Sequence, residues 1–132
     1  MKRLRIAIVV PRYGPEVNGG AEVLARSYAW HVGEHADVTV LTTCALDYRT
    51  WEDHFPPGDS NDGPVRIRRF PVPAPRAERA FDALSADVLT RAASPEEEIA
   101  WMDAQGPVSP GLEEHLAMRG DEYDVVLFVP YL

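Results

Sequence analysis

The residues best placed to meet a ligand lie in one short segment, Pro11-Arg12-Tyr13-Gly14-Pro15-Glu16-Val17-Asn18-Gly19-Gly20-Ala21-Glu22. Adjacent glycines lack Cβ atoms, so their backbone can approach a ligand closely. A helix that begins there presents N–H groups and a positive dipole end, which suit an anion such as a diphosphate. Asn18, Gly19, Gly20 and Glu22 are therefore the candidate binding residues. The spacing narrows the chemistry. Gly14 and Gly19 are too far apart for GxGxxG, and no Gly-Lys-Ser/Thr follows as in a P-loop. A Gly-Gly pair is also what a tight turn into a helix requires. Glu22, in the first turn, can equally satisfy backbone amides there.

Other reactive side chains carry weaker signals. Cys44 has no activating base or cation near it in sequence, so it reads as a small buried thiol. His31 and His35 are one helical turn apart but lack a third ligand, and no metal is expected. Tyr48, Trp51, His54 and Phe55 can stack on an acceptor sugar or lipid, or can pack their loop onto the body. Arg66, Arg68 and Arg69 can meet an anionic acceptor or a lipid phosphate, although solvated strand-edge arginines are the simpler reading. Trp101 and Met102 read as core residues of a helix. No catalytic residue is assigned.

The elements that must position this segment follow from apolar periodicity. Leu4 to Val10 is a near-continuous apolar run ended by Pro11, as in a central parallel strand. Ala21, Leu24, Ala25, Tyr28, Ala29 and Val32 recur at helical spacing and predict one buried face. Val38 to Thr43 is a second strand, and 44–64 reads as a long polar and aromatic loop. Val65 to Phe70 mostly alternates apolar residues with Arg, predicting a third strand nearer an edge, stopped by Pro71, Pro73 and Pro75. Helices are expected over Ala77–Ala93, Pro95–Ala104 and about Pro110–Met118, then a fourth strand over Val125–Val129. This order predicts an α/β fold: a Rossmann-like, doubly wound, mainly parallel sheet with helices on both faces. The last strand has no helix after it, which predicts a truncated chain.

The 132 residues fit one domain with a single core. The formal charge of −8 is uneven: residues 94–132 hold nine acidic residues against Arg119 alone, while 1–93 balance. Such acidity gives no drive toward nucleic-acid phosphates, and it predicts a solvated helical face in the last third. A single cysteine allows no intrachain disulfide. The apolar run after the basic start is too short for a signal peptide, and no stretch reaches the ~20 apolar residues of a membrane span. A cytoplasmic protein is expected.

The string PRYGPEVNGGAE after a first strand, followed by ADVTVLTT, resembles family 4 of the retaining glycosyltransferases. The similarity continues through LTTCALDYRTWEDHFPPG, VRIRRFPV, AQGPVSPGL and YDVVLFVPYL, in that order. The resemblance implies the two-Rossmann-domain fold called GT-B, with residues 1–132 as the opening of its N-terminal, acceptor-side domain. It implies transfer of a sugar from a nucleotide-diphosphate sugar, with retention, to a glycan, lipid-linked or small-molecule acceptor. Gly19 and Gly20 would then face the donor diphosphate. The nucleotide pocket would belong to an absent C-terminal domain, and no covalently bound cofactor is implied. Peripheral membrane contact and self-association stay open as partners.

Two other readings share the pattern. One is a nucleotide-sugar epimerase of the same architecture, where the fold is common but the reaction differs. The other is a non-catalytic α/β ligand-binding module. A receiver-like module would need acidic residues at the end of the first strand, where Pro11-Arg12 stands.

Overall fold

The structure is a computed structural model and describes residues 2–129. In chain order it contains β1 (Arg5–Val9), α1 (Gly20–Gly33), β2 (Asp37–Thr43), β3 (Gly58–Asp62) and β4 (Val65–Phe70). Then follow α2 (Glu78–Thr90), α3 (Pro95–Gln105), α4 (Pro110–Arg119), a single 3-10 turn over Gly120–Glu122, and β5 (Val125–Phe128). The five strands form one sheet in the order β3-β4-β2-β1-β5. β1 pairs in parallel with both β2 and β5, and β2 pairs in parallel with β4. Among the described strands only β3 runs antiparallel, against β4. The fold is thus α/β with a mostly parallel sheet, Rossmann-like in its coarse class.

The two most apolar runs occupy the centre of the sheet, because only a strand covered on both faces needs apolar residues on both. Ile8, Val10, Val38, Val40, Val65 and Ile67 form one core with Ala25 and Ala29 of α1. α4 covers the opposite face: a Cβ added at Gly111 would lie 3.3 Å from the Phe70 ring, and His115 packs on that ring at 5.4 Å.

The expected stripe on α1 is corrected. The buried residues are Glu22, Ala25, Ala29 and Gly33, while Leu24 and Tyr28 are 50% and 51% exposed. Small residues let the helix approach closely; a Cβ at Gly33 would already touch Pro64 at 3.3 Å. The bulky side chains are displaced to the flanks of that contact.

The reading of 44–64 as loop, and of four strands, is also corrected, since β3 lies within that segment. Its sequence, Gly58-Asp59-Ser60-Asn61-Asp62, has almost no intrinsic strand preference. The strand exists because Gly63, at φ 57°, turns the chain back onto β4 and because Asp59 pairs across the ladder with Arg68 at 2.7 Å.

α2 and α3 bury no residue fully and pack mainly on each other. Phe81 and Trp101 stack at 6.3 Å, and Trp101 Nε1 donates to Ser85 Oγ at 2.9 Å. Met102 is not a core residue; it is 65% exposed. The α3 start follows its sequence: Ser94 caps it by accepting from the Glu97 amide, with Pro95 in the first turn. Glu96, Glu98, Asp103, Glu113 and Glu114 are exposed, forming the solvated acidic face expected there. No helix among the described residues is long and apolar enough to cross a membrane.

Candidate functional site

The sheet order reverses at β1: the chain moves from β1 to β2 on one side and returns to β5 on the other. In open α/β sheets ligands bind beyond the carboxyl ends of the strands at such a reversal. Two features occupy that edge, the 11–19 loop leading into α1 and a crevice between β1, β5 and α4.

The loop is held from below by a buried ion pair. Arg12 Nη2 lies 2.7 Å from Glu22 Oε1, with the two side chains 7% and 2% exposed. Arg12 also donates through Nε to the same oxygen, through Nη1 to the Leu46 carbonyl and through Nη2 to the Asn18 carbonyl. One guanidinium thereby joins the loops after β1 and β2 to the first turn of α1.

This pair dictates the first glycine. Gly19 sits at φ 147°, and a Cβ added there would lie 2.1 Å from Glu22 Oε2 and 3.1 Å from Arg12 Nη2. Gly20 differs: a Cβ there would meet nothing within 4 Å. Asn18, Gly19 and Gly20 are exposed, and no side chain caps α1 from the Gly19 position. Of the four candidate binding residues, the structure thus leaves three facing solvent and commits the Glu22 carboxylate to Arg12.

The crevice has a volume of about 240 Å³. Val9, Leu112, Phe128 and Pro107 give it an apolar lining, with Thr43, Ser109 and Glu113 as polar members. Thr43 Oγ1 donates to the Pro11 carbonyl at 2.7 Å and Ser109 Oγ to the Pro71 carbonyl at 2.9 Å. Glu113 is exposed and is the one charged lining residue among those described.

The remaining side chains of interest separate clearly. Cys44 is fully buried, and burial, then Asp53, pushes its thiol up, against the pull of Arg69. That favours the protonated, unreactive form. His31 and His35 are exposed, and no group of three metal-ligating side chains is found among the described residues. Trp51 is buried, donating from Nε1 to the Gln105 carbonyl at 2.7 Å. Tyr48 stays half exposed, its ring 5.4 Å from the Arg12 guanidinium. Arg66 and Arg68 lie on one face of β4. Arg69 lies on the other, 7% exposed, with its guanidinium 3.9 Å over Phe55.

Three residues of this region carried no sequence assignment: Arg12, Glu113 and Asp62. Asp62, at the end of β3, accepts from Tyr13 Oη at 2.8 Å, from Arg26 Nε at 2.8 Å and from Trp30 Nε1 at 3.0 Å. It ties the 11–19 loop and α1 to the β3–β4 hairpin. Its Asp-Gly sequence signals only a turn.

Comparison of the chain with protein-family models, with curated proteins and with solved structures returns no match.

Proposed function

We propose that this chain is the acceptor-side, doubly wound domain of a GT-B retaining glycosyltransferase, working in the cytoplasm on a nucleotide-diphosphate sugar. The observation that carries the reading is the exposed Gly19-Gly20 start of α1 at the carboxyl edge of β1, where the N-cap residue is a glycine with no side chain of its own to offer the helix amides. A departing diphosphate gains negative charge, and backbone N–H groups at a helix start can stabilise it without rearranging. The Arg12–Glu22 pair beneath supports the reading, because it fixes the loop before any ligand arrives. In this reading the apolar crevice beside Glu113 belongs to the acceptor. By the same family resemblance the nucleotide pocket lies on a second Rossmann domain, so residues 1–132 alone are expected to transfer no sugar. Robust turnover of a nucleotide sugar by the 132-residue chain would overturn the two-domain reading.

The experiment compares two substitutions at Gly20, where added atoms have room. Gly20→Asp places a carboxylate at the helix start, which favours the helix dipole and so preserves folding. It also repels a diphosphate. Measured on the complete gene product, Gly20→Asp is expected to weaken nucleotide-sugar binding and turnover at least about tenfold, or about 1.4 kcal/mol, while Gly20→Ala changes them little. Unchanged affinity and turnover in Gly20→Asp would sink the assignment.

A further inference from the structure

The inward face of β4 is expected to be apolar, and Val65 and Ile67 obey that rule. The third inward position is Arg69, 7% exposed. Arginine is almost never this buried without an acidic partner, since removing a charge from water is costly unless it is paired. Arg69 forms no ion pair among the described residues. Its hydrogen bonds go to two neutral acceptors: Nη1 donates to the Thr43 carbonyl at 3.1 Å and Nη2 to the Tyr13 carbonyl at 2.6 Å. Phe55 covers one face of the guanidinium. Among the described residues the Nε–H has no acceptor.

Arg69 lines an open cleft of about 400 Å³ between the Pro15-Glu16 turn and residues 55–62. Gly58 is its direct partner on the β3–β4 ladder, and a Cβ there would meet nothing within 4 Å. The position that would otherwise cover Arg69 from β3 is therefore vacant. Ser60, exposed and on the same face of the hairpin as Arg69, adds a hydroxyl to the same wall. Asp59 and Asp62 also line the cleft, but each is already in an ion pair, with Arg68 at 2.7 Å and with Arg26 at 2.8 Å. Glu16 is the remaining carboxylate there, exposed on its turn and in no ion pair among those described. Behind Arg69, its ladder partner Thr42 is fully buried, and its hydroxyl has no hydrogen-bond partner among the described residues.

We propose that this cleft is a binding site for the oxyanion group of a small molecule, a phosphate or a carboxylate, with Arg69 as its charged anchor. A guanidinium with donors to spare matches such a group, and charge-assisted hydrogen bonds are the strong ones. The site includes neither Gly19 nor Gly20, so it stands or falls independently of the glycosyltransferase reading. Glu16 is the like-charged neighbour an incoming anion must displace.

The test is an NMR titration of the folded chain with inorganic phosphate and, separately, with acetate, against sodium chloride at matched ionic strength. Saturable shifts centred on Gly58, Ser60 and the Arg69 Nε–H are expected with phosphate, acetate or both, and not with chloride. Whichever anion saturates identifies the oxyanion class. Arg69→Met is expected to weaken that binding at least about tenfold, the loss of one charge-assisted hydrogen bond. Glu16→Gln, an exposed change that leaves the fold intact, is expected to tighten it about two- to fivefold by removing the competing charge. Absence of saturable binding by either anion, or equal binding in a folded Arg69→Met protein, overturns the site. Should Arg69→Met not fold, Glu16→Gln decides: unchanged or weaker binding overturns it.

Discussion

Arg12 and Glu22 meet beneath the glycine loop, Nη2 to Oε1 at 2.7 Å, in surroundings that leave their side chains 7% and 2% exposed. Removing one member of a buried pair strands the other charge, and such losses run to about 3–5 kcal/mol. Replacing both with apolar residues of similar size strands nothing. Glu22→Gln and Arg12→Met are therefore each expected to destabilise the chain by about 3–5 kcal/mol, and the double variant Arg12→Met/Glu22→Leu by clearly less than either single change. Urea denaturation of the three variants measures this. Single variants within about 0.5 kcal/mol of the parent would show that the pair behaves as a surface ion pair.

The two adjacent glycines are expected to respond in opposite ways. An alanine methyl at Gly19 would lie 2.1 Å from Glu22 Oε2, on a backbone at φ 147°. At Gly20 the same methyl enters open space at a helix start. Gly19→Ala should lower the midpoint of thermal unfolding by many degrees. Gly20→Ala should leave it unchanged or raise stability by up to about 1 kcal/mol. Equal effects at the two positions would refute the claim that Glu22 dictates Gly19.

Acid should loosen the β3–β4 hairpin from α1. Burial works to raise the Asp62 pKa, but hydrogen bonds from Arg26, Trp30 and Tyr13 outweigh it and hold the carboxyl below its usual value. A carboxylate lowered on folding adds stability that is fully present above its unfolded value, near ~3.9, and is lost as pH falls through the folded value. Asp124, paired with Arg5 across β5 and β1, is lowered to about 2 and adds in the same direction. Asp62→Asn is expected to be destabilised by about 1–3 kcal/mol at neutral pH and to lose less further stability than the parent between pH ~4.5 and ~2.5. Urea midpoints at those pH values test it, and parallel losses in both proteins would contradict it.

A second, milder pH response belongs to His115. Burial, followed by Arg68 and Arg119, lowers its pKa, so the fold prefers the neutral ring beside Tyr123 Oη at 2.7 Å. The unfolded chain takes up the proton near pH ~6.5, and stability therefore falls as pH drops below that value toward the lower folded one. His115→Gln should flatten the change in melting temperature between pH ~7.5 and ~5.5. An unchanged slope would place the titration elsewhere.

The sequence announced the centre of this fold better than its rim. Leu4–Val10 and Val38–Thr43 are apolar because both faces of these strands are covered, and they pair in parallel with each other and, through β1, with Val125–Phe128. β3 was illegible, since Asp, Ser and Asn become a strand only through tertiary partners: Arg68, Arg26, Tyr13 and Trp30. The α1 stripe failed for a related reason, because closeness of approach, which selects Ala and Gly, outweighed hydrophobic size. At the site, the glycine pair was visible but its internal cause was not. Arg12 and Glu22 are ten positions apart, across a loop whose path no periodicity specifies. Arg69 did leave a trace, as the arginine that breaks the alternation of β4.

The last expectation concerns β5, which closes the sheet on the side of β1. Val125, Leu127 and Phe128 are 48%, 44% and 61% exposed; the neighbouring apolar end at Pro130-Tyr131-Leu132 lies outside the described residues. The other edge, β3, carries Asp59, Ser60, Asn61 and Asp62, the polar composition that discourages pairing between edges. β5 has no such protection. Its outer N–H and C=O groups meet no strand among those described, and burial of its apolar side chains is worth roughly 25 cal/mol per Å². Concentration-dependent self-association through β5 is therefore expected for residues 1–132, visible as a rising mean mass by light scattering. Leu127→Lys should reduce it by placing a charge on that edge, whereas Ser60→Lys on the opposite edge should leave it unchanged. A strictly monomeric chain at high concentration, or equal sensitivity to the two substitutions, would exclude β5 as the contact.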